Sequence, residues 1–240
     1  MLVAISAAHG RHAVTRAWAE HTASMGFDEV IVCVTEGDDV NSATCDEFGF
    51  LAPTQPNDPL SHKFNTALWW AMNAGATRIM ILPSDDFVSP AWVKAARETE
   101  GDYLYPHTCA IVDAASQQAY KIAKLTFGTL KYGAGRVVSR KVVEACDGKL
   151  WPDELNRTLD GASHHRIERA GFKVKVVEIE GIPITDLKTS ENLWPFNTWS
   201  ASGRPLGTPD GKGGWLVSPI DEALHMCSES VRAKIDAMKA

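Results

Sequence analysis

The sequence predicts an α/β fold in which a mostly parallel, Rossmann-like central sheet is flanked by helices. Two apolar segments near the N-terminus, "LVAIS" and "DEVIVCVTE", predict buried strands. Between them, apolar residues at helical spacing predict a helix that ends at Gly26. A strand, a helix and a second strand within about 35 residues indicate a βαβ unit, which joins parallel strands. The length of 240 residues and the 45% share of hydrophobic residues fit one globular domain.

The rest of the chain continues this alternation. A second helix is predicted to end at Gly75, and the strand "TRIMILP" follows it. Ser89 suits an N-cap and Pro90 the first helical position, which predicts a helix as far as Glu100. The other predicted elements are an irregular segment (37–60), strands in "DYLYPHTCAIVD" and "KVKVVEI", a strand and a helix in "YGAGRVVSRKVVEACDG", a mostly helical "WPDELNRTLDGASHHRIERAGF", a long loop (192–214) and a final helix (221–238).

Composition narrows the functional classes. The net charge of −6 argues against a generally basic nucleic-acid binder, although a local basic groove remains compatible with it. No segment approaches 18 uninterrupted apolar residues, and the start "MLVAISAAHGRH" lacks a basic leader, so we expect neither a membrane span nor a signal peptide. The five cysteines have no metal-type spacing. Reduced thiols in a cytoplasmic protein are the expectation.

An acidic pair ends the strand in "RIMILPSDD". In open α/β sheets, ligands bind beyond the carboxyl ends of the strands. Asp85 and Asp86 are therefore placed to hold Mg²⁺ or Mn²⁺, which prefer carboxylate oxygens and are often completed by substrate phosphates. The alternative is an aspartate-rich turn that bonds nearby backbone N–H groups and caps the helix at Ser89.

The helix that carries Lys63 and Asn65 offers a second candidate. A helix N-terminus binds anions, so its first turn suits a phosphate group. The alternative for Lys63 is an ordinary solvated charge.

Five segments, taken in order, resemble the GT-A glycosyltransferases, most of all the family-two-like members. The segments are "LVAISAAHGR", "VIVCVTEGDD", "HKFNTALWWAMNAGATRIMILPSDD", "YGAGRVVSRKVVEACDG" and "LDGASHHRIERAGFKVKVV". The resemblance covers residues 1–180 and implies a GT-A fold that binds a nucleotide-diphosphate sugar. It implies a catalytic domain (1–190) with a donor half (1–100) and an acceptor half (101–190), followed by a lid-like loop and helix on the same domain (191–240).

The resemblance also implies roles for individual residues. Asp86 matches the direct metal ligand, with Asp85 beside it, and the metal is Mn²⁺ or Mg²⁺. Ser84 stands where a full Asp-x-Asp motif has its first acid, which departs from the family pattern. The implied donor-binding residues are Ala8, His9, Arg11, Asp38, Lys63, Asn65, Ser84 and Asp85. The implied acceptor-binding residues are Gly135, Arg136, Trp194 and Trp199.

Asp160 matches the catalytic base of inverting members of the family. A carboxylate within reach of the acceptor hydroxyl can remove its proton during attack on the anomeric carbon. Asp160 is alternatively a helix N-cap, and Asp153 and Glu154 are rival candidates. One of the adjacent residues His164 and His165 could face the diphosphate or the metal. The favoured alternative is that they are surface and partner-packing positions.

The tail that begins at Asp186 mixes aromatic and basic residues, namely Trp194, Phe196, Trp199, Trp215, Lys188, Arg204 and Lys212. Aromatic rings stack on sugars and bases, and basic groups pair with phosphates. Its glycine and proline content suits a lid that orders over bound donor. The alternative is a surface segment whose rings pack on the domain.

The leading interpretation is a metal-dependent hexosyl- or pentosyltransferase that inverts the anomeric centre. Its hydroxyl acceptor is left open among a glycan, a small molecule, a protein and a hydroxylated DNA base. One alternative is a nucleotidyltransferase of similar fold, although the loop "AAHGRH" is short for that activity. A non-catalytic nucleotide- or carbohydrate-binding domain is another. A glycoside hydrolase is least favoured, because it needs two facing carboxylates.

Overall fold

The computed structural model describes residues 1–122, 133–191 and 215–238. The strands are β1 (Leu2–Ala8), β2 (Glu29–Thr35), β3 (Thr54–Gln55), β4 (Arg78–Ile81), β5 (Asp86–Val88), β6 (Tyr103–Pro106), β7 (Ala110–Asp113), β8 (Gln118–Ile122), β9 (Arg136–Ser139), β10 (Lys175–Val177), β11 (Ile184–Lys188) and β12 (Trp215–Ser218). The helices are α1 (His12–Ala23), α2 (Asp39–Glu47), α3 (Leu60–Asn73), α4 (Pro90–Glu98), α5 (Arg140–Ala145), α6 (Leu159–Arg169), α7 (Ile220–Ala223) and α8 (Glu229–Ala237).

A seven-stranded sheet forms the centre of the fold, in the order β10-β6-β9-β4-β1-β2-β3. β1 pairs in parallel with both β2 and β4, and β10 pairs in parallel with β6. β9 runs antiparallel to its neighbours β4 and β6. The mostly parallel central sheet predicted from the sequence is therefore confirmed.

Helices cover both faces of this sheet, as successive side chains of β1 show. Ala4 lies in a core with Trp18 of α1, whereas Ile5 lies in a second core with Leu68 of α3. Neighbouring residues of a strand point to opposite faces, so a strand buried on both sides needs an apolar run. This explains why β1 contains no charged residue and confirms the flanking helices.

A second sheet has the order β12-β8-β7-β11-β5. β11 pairs in parallel with β7 and antiparallel with β5. β5 follows β4 closely in the chain, so the segment 82–85 passes from one sheet to the other. The acidic pair lies at this crossing.

Several predicted elements differ in the structure. Residues 151–158, predicted to be part of a mostly helical segment, form no helix and precede the start of α6 at Leu159. The segment predicted to be irregular contains α2, whose N-cap Asp38 accepts a hydrogen bond from the backbone N–H of Asn41 at 3.3 Å. The helix was missed because it buries only Asn41, Thr44 and Cys45, which give no clear apolar spacing. The predicted final helix is two helices, because Ser228 caps the start of α8.

The acidic pair also differs from its prediction. β4 ends at Ile81, and Asp86 is the first residue of β5 rather than the end of the preceding strand. A strand of three residues is too short to show a periodic pattern. By contrast, the predicted cap of α4 is confirmed, since Ser89 Oγ accepts a hydrogen bond from the backbone N–H of Trp92 at 3.1 Å.

All five cysteines are buried free thiols. In the described ranges, each helix is too short or too polar to cross a bilayer.

Candidate active site

The loop between β1 and α1 is built from His9, Gly10 and Arg11. Gly10 (φ 54°) and Arg11 (φ 42°, ψ 42°) both adopt left-handed backbone conformations. Glycine adopts this region freely, but a non-glycine residue there is uncommon and strained backbone often occurs at functional sites. The turn carries the Arg11 side chain toward the segment after β4, whereas His9 is exposed.

Arg11 joins the carboxyl ends of β1 and β4. Its Nη1 atom lies 2.8 Å from Asp85 Oδ2, and its Nη2 atom donates to Ser84 Oγ at 3.2 Å. Ser84 Oγ in turn donates to the carbonyl of Ala7 at 2.9 Å. Burial acts to raise the pKa of Asp85, but the charges of Arg11 and Lys188 outweigh it and lower that pKa below the usual value. Asp85 is therefore ionised at neutral pH.

Lys63 brings a buried ammonium group to the same edge of the sheet. Its side chain is fully buried, and Nζ donates to the carbonyl of Ala8 at 2.6 Å and to Thr35 Oγ1 at 2.8 Å. Burial lowers the pKa of Lys63 to about 8. The ends of β1 and β2 are thus fastened together by a group that carries positive charge at neutral pH. The alternative of a solvated surface lysine is excluded by this position.

Asp38 holds the β1–α1 loop from the other side. One carboxylate oxygen accepts the backbone N–H of Gly10 at 2.9 Å and the Nδ2 group of Asn41 at 2.8 Å, and the other lies 3.0 Å from His12 Nε2. Burial acts to raise the pKa of Asp38, but these hydrogen bonds reverse the effect and lower it. Asp38 is therefore a fixed anion beside the loop.

Asp86 belongs to a second cluster of charged side chains, together with Asp186 and Lys188. In the antiparallel pair of β5 and β11, Asp86 lies directly opposite Asp186, and Asp186 Oδ2 is 2.6 Å from Lys188 Nζ. All three side chains are buried. Burial and the carboxylates of Asp186 and Asp85 raise the pKa of Asp86 well above its usual value. Sequence reasoning did not single out Asp186, although the alternation in "ITDLK" places it on the same strand face as Lys188.

The donor atoms of this region fit a divalent cation chemically. Mg²⁺ and Mn²⁺ prefer carboxylate oxygens, and Asp86 Oδ1 is buried without a hydrogen-bond partner among the described residues. However, Asp85 and Asp186 already contact Arg11 and Lys188. The described ranges also contain no group of three or more His, Cys, Asp or Glu side chains arranged to hold a metal. A cation here would therefore take further ligands from substrate phosphates.

Asp160 lies in the first turn of α6, where Arg136 holds it. Its carboxylate is about half exposed (49%), and Oδ1 lies 3.5 Å from Nη2 of Arg136, which is itself almost completely buried. Desolvation raises the pKa of Asp160, and the charge of Arg136 opposes that effect. A half-exposed carboxylate held in a fixed orientation suits a proton acceptor.

Comparison of the sequence with known proteins gave no match to a family model and none to a curated protein. Solved structures do match. The inositol-1-phosphate CTP transferase from T. maritima is 14% identical with a TM-score of 0.50, over 77% of this chain and 88% of that one. TarS of S. aureus is 12% identical with a TM-score of 0.55, over 79% of this chain but only 37% of that one.

A third match has a bound ligand. Glucosyl-3-phosphoglycerate synthase from Mycobacterium tuberculosis, in complex with Mn²⁺, UDP and glucosyl-3-phosphoglycerate, is 14% identical with a TM-score of 0.51, over 95% of this chain and 80% of that one. This chain has a GT-A-like fold. At these identities the likeness establishes the fold alone, which glycosyltransferases and nucleotidyltransferases share.

Within the GT-A-like fold, most predicted donor-binding residues lie at the carboxyl ends of β1, β2 and β4. Asn65 does not, because its Nδ2 group donates to the carbonyl of Trp151 at 2.9 Å and to Asp153 at 3.2 Å. The rival base Asp153 is also held by Lys149 Nζ at 2.5 Å, whereas Glu154 is exposed. Asn65 and Asp153 thus form a separate contact between α3 and the segment before α6.

The predicted acceptor-binding residues are placed less uniformly. Gly135 is buried, and a Cβ atom on it would lie 2.5 Å from Ile184 Cδ1. Arg136 is buried and directed into the protein. Trp194 and Trp199 lie outside the described residues, as does most of the predicted lid.

The two adjacent histidines differ in their surroundings. His164 is buried, and its Nδ1 atom lies 3.0 Å from the hydroxyl of Tyr103. His165 is exposed.

Proposed function

We propose that this chain is a metal-dependent glycosyltransferase that moves a sugar from a nucleotide diphosphate to a hydroxyl acceptor. The observation that carries the proposal is the Arg11–Asp85 contact, which joins the carboxyl ends of two parallel strands. Ligands of open α/β sheets bind at this edge. Lys63 and Asp38 add fixed charges of both signs to the same edge.

Each charge has a role in binding a nucleotide-diphosphate sugar. Arg11 donates to the diphosphate, because a guanidinium forms paired hydrogen bonds to phosphate oxygens. Asp38 accepts hydrogen bonds from the ribose or the base. Lys63 fixes the carbonyl of Ala8 and contributes positive potential beneath the diphosphate.

Asp86 and Asp85 would hold the cation, as the resemblance to the GT-A family implies. A bound Mn²⁺ or Mg²⁺ would neutralise the charge that develops on the departing diphosphate. The Mn²⁺ and UDP in the structure of glucosyl-3-phosphoglycerate synthase support this assignment and the choice of UDP as a first nucleotide to test.

Asp160 acts as the base. It removes the proton of the acceptor hydroxyl while that oxygen attacks the anomeric carbon, and the diphosphate leaves from the opposite side. A single displacement of this kind inverts the anomeric configuration. The acceptor class stays open among glycans, small molecules, proteins and hydroxylated DNA bases.

The loop after β1 favours this function over nucleotidyl transfer. Nucleotidyltransferases of similar fold are expected to carry a long glycine-rich, basic loop at that place, because they bind a triphosphate. Here only His9, Gly10 and Arg11 separate β1 from α1. Incubation with UTP or CTP and glucose-1-phosphate tests the alternative, since a nucleotidyltransferase would release pyrophosphate.

The proposal is tested by calorimetric binding of UDP, GDP, CDP and ADP, each with and without Mn²⁺. We expect one nucleotide to bind in a Mn²⁺-dependent manner. Asp85→Asn and Asp86→Asn are expected to weaken that binding by about tenfold or more, because each loses a charged partner of the bound group. Glu47→Gln, which breaks the exposed ion pair between Arg16 of α1 and Glu47 of α2, is the matched control and should bind as the wild type does.

Three results would contradict all or part of the proposal. If none of the four nucleotides binds, the donor site does not exist. If binding occurs but neither Mn²⁺ nor Asp86 affects it, the acidic pair is not a cation site. If binding occurs without transfer to water or to any acceptor tested, the chain is a non-catalytic nucleotide-binding domain.

A further inference from the structure

Arg136 has an unusual position for a charged residue. Its side chain is 1% exposed, and it lies on β9, next to the start of α6 in space. A guanidinium group has five N–H donors. Burying such a charge is costly unless its donors and its charge are matched by the surrounding protein.

Every one of those donors is used inside the protein. Nε donates to the carbonyl of Gly133 at 3.1 Å, and Nη1 donates to the hydroxyl of Tyr103 and to the carbonyl of Asp160, both at 3.2 Å. Nη2 donates to Ser163 Oγ at 3.0 Å and to Asp160 Oδ1 at 3.5 Å. Arg136 therefore has no N–H left for an acceptor, which argues against the acceptor-binding role that the sequence suggested.

Gly133 also lies against Oδ1 of the Asp160 carboxylate. A Cβ atom on Gly133 would lie 1.8 Å from Asp160 Oδ1, which no real side chain could do. The backbone N–H of Gly133 also donates to this carboxylate and acts to lower its pKa. Gly133 has no positive φ, so steric contact with Asp160, rather than backbone strain, is what requires glycine there.

We propose that Arg136 and Gly133 form a cradle that fixes the Asp160 carboxylate in the orientation of a base, which makes Arg136 a positioning residue. The proposal rests on the glycosyltransferase function proposed above. Arg136 and Gly133 both contact Oδ1 of one half-exposed carboxylate, while its remaining surface stays open toward solvent. If Arg136 served only to anchor α6, its contacts with the carbonyl of Asp160 and with Ser163 would be sufficient. Neither the side chain of Asp160 nor a glycine at position 133 would then be needed.

Other charged and titratable groups act on the same carboxylate. Lys188 on β11 acts with Arg136 to lower the pKa of Asp160. Asp86 on β5 and Tyr105 on β6 are coupled to Asp160 electrostatically. On α6 itself, His164 Nδ1 lies 3.0 Å from the hydroxyl of Tyr103, which also accepts a hydrogen bond from Arg136. Among these groups, Arg136 is the cation in direct contact.

The first test follows the carboxyl ¹³C signal of Asp160, assigned with Asp160→Asn, through a pH titration of the whole protein. Arg136→Met is expected to move the titration to higher pH, because it removes the cation, and Arg136→Lys is expected to move it less. Arg140→Lys is the matched control. Arg140, the first residue of α5, also donates hydrogen bonds to backbone carbonyls, namely those of Ala76 and Met72. It does not contact Asp160.

The second test measures release of UDP from UDP-glucose with Mn²⁺ and water as acceptor. If calorimetry selects another diphosphate, its glucose ester is used. Gly133→Ala and Arg136→Lys are expected to lower kcat by about tenfold to a hundredfold with KM nearly unchanged, since displacement of a catalytic group by about 1 Å has effects of this size. Their nucleotide binding should stay close to that of the wild type, as should all properties of Arg140→Lys.

The outcomes separate the two proposals. If Gly133→Ala and the Arg136 variants leave both the Asp160 titration and kcat unchanged, the positioning role is overturned. If the wild type binds no nucleotide and releases none, the transferase function fails, and an unchanged titration in Arg136→Met would then reject the cradle as well. Should Arg136→Met not fold, Arg136→Lys and Gly133→Ala decide the question.

Discussion

Asp86 and Asp186 lie directly opposite each other across the antiparallel pair of β5 and β11, with Lys188 Nζ 2.6 Å from Asp186 Oδ2. Burial, together with repulsion from the carboxylate of Asp186, raises the pKa of Asp86 well above its usual value. The ammonium of Lys188 offsets the negative charge of this pair. The pairing brings residues from distant parts of the chain into one charged group.

Removing Lys188 should therefore destabilise the protein strongly. Lys188→Met leaves the buried Asp186 carboxylate without its ammonium, and we expect a loss of about 3 to 5 kcal/mol in the free energy of unfolding. Adding Asp186→Asn to that variant should recover part of the loss, because the uncompensated charge is removed. Urea denaturation of both single variants and the double variant measures this coupling. Strictly additive losses would show that the two groups do not interact.

Lys63 should make stability depend on pH in the alkaline range. Burial lowers its folded pKa to about 8 from an ordinary 10.5. Between these values the unfolded chain holds a proton that the folded protein has lost, so unfolding takes up a proton and the free energy of unfolding rises with pH. Below pH 8 both states are protonated and this contribution is flat. The whole rise is roughly 3 kcal/mol, at about 1.4 kcal/mol per pKa unit.

The measurement compares wild type with Lys63→Met by urea denaturation between pH 7 and pH 9.5. Above pH 8, the free energy of unfolding of the wild type should rise relative to that of the variant. Lys141→Met, which removes an exposed lysine, controls for the loss of one positive charge. A difference between wild type and Lys63→Met that stays constant over this range would contradict the prediction.

Gly135 should tolerate no side chain, for two separable reasons. Its φ of 71° costs an L-residue about 1 to 2 kcal/mol, and a Cβ there would lie 2.5 Å from Ile184 Cδ1, where overpacking typically costs about 1 to 3 kcal/mol more. Gly148 has a similar φ of 76° but open space around a Cβ. Gly135→Ala should thus lower the thermal midpoint clearly more than Gly148→Ala. Equal losses would mean that the contact with Ile184 relaxes freely.

Asp160 and its rival Asp153 should respond differently to the same change. Asp153 already contacts Lys149 Nζ at 2.5 Å and Asn65 Nδ2 at 3.2 Å. Asp160→Asn is expected to reduce turnover of the nucleotide sugar by about a hundredfold or more while nucleotide binding persists, since general-base catalysis contributes that much. Asp153→Asn should leave turnover almost unchanged. The reverse ranking in a turnover assay would transfer the role of base to Asp153.

The sequence was sufficient for the parallel sheet and for the helices with strong apolar spacing. In α3, Phe64, Ala67, Leu68 and Ala71 all lie in the core, as a helical repeat requires. The apolar pattern did not predict a helix that buries few side chains or mainly polar ones. The first helical turn of α2 is set by the carboxylate of Asp38 rather than by apolar residues.

The charged site was predictable only where residues lie close together in the chain. Ser84 and Asp85 could be placed at a strand end, but the register that sets Asp186 opposite Asp86 depends on strand pairing across a hundred residues, which a linear pattern does not contain. Arg136 was predicted to bind the acceptor, whereas its contacts with Asp160 and Ser163 depend on the position of α6. The fold determines which partner a charged residue finds.

The pairing of β5 with β11 also sets an order of events during synthesis. Asp85 and Asp86 leave the ribosome long before Lys188 does, so the nascent chain carries these acids while β5 still lacks its partner strand. The edge of β5 that pairs with β11 stays open until Ile184–Lys188 docks, although Arg11 is already present to offset the charge of Asp85. A chain released before that point would hold the N-terminal strands and the acidic pair, but it would lack the strand that completes them.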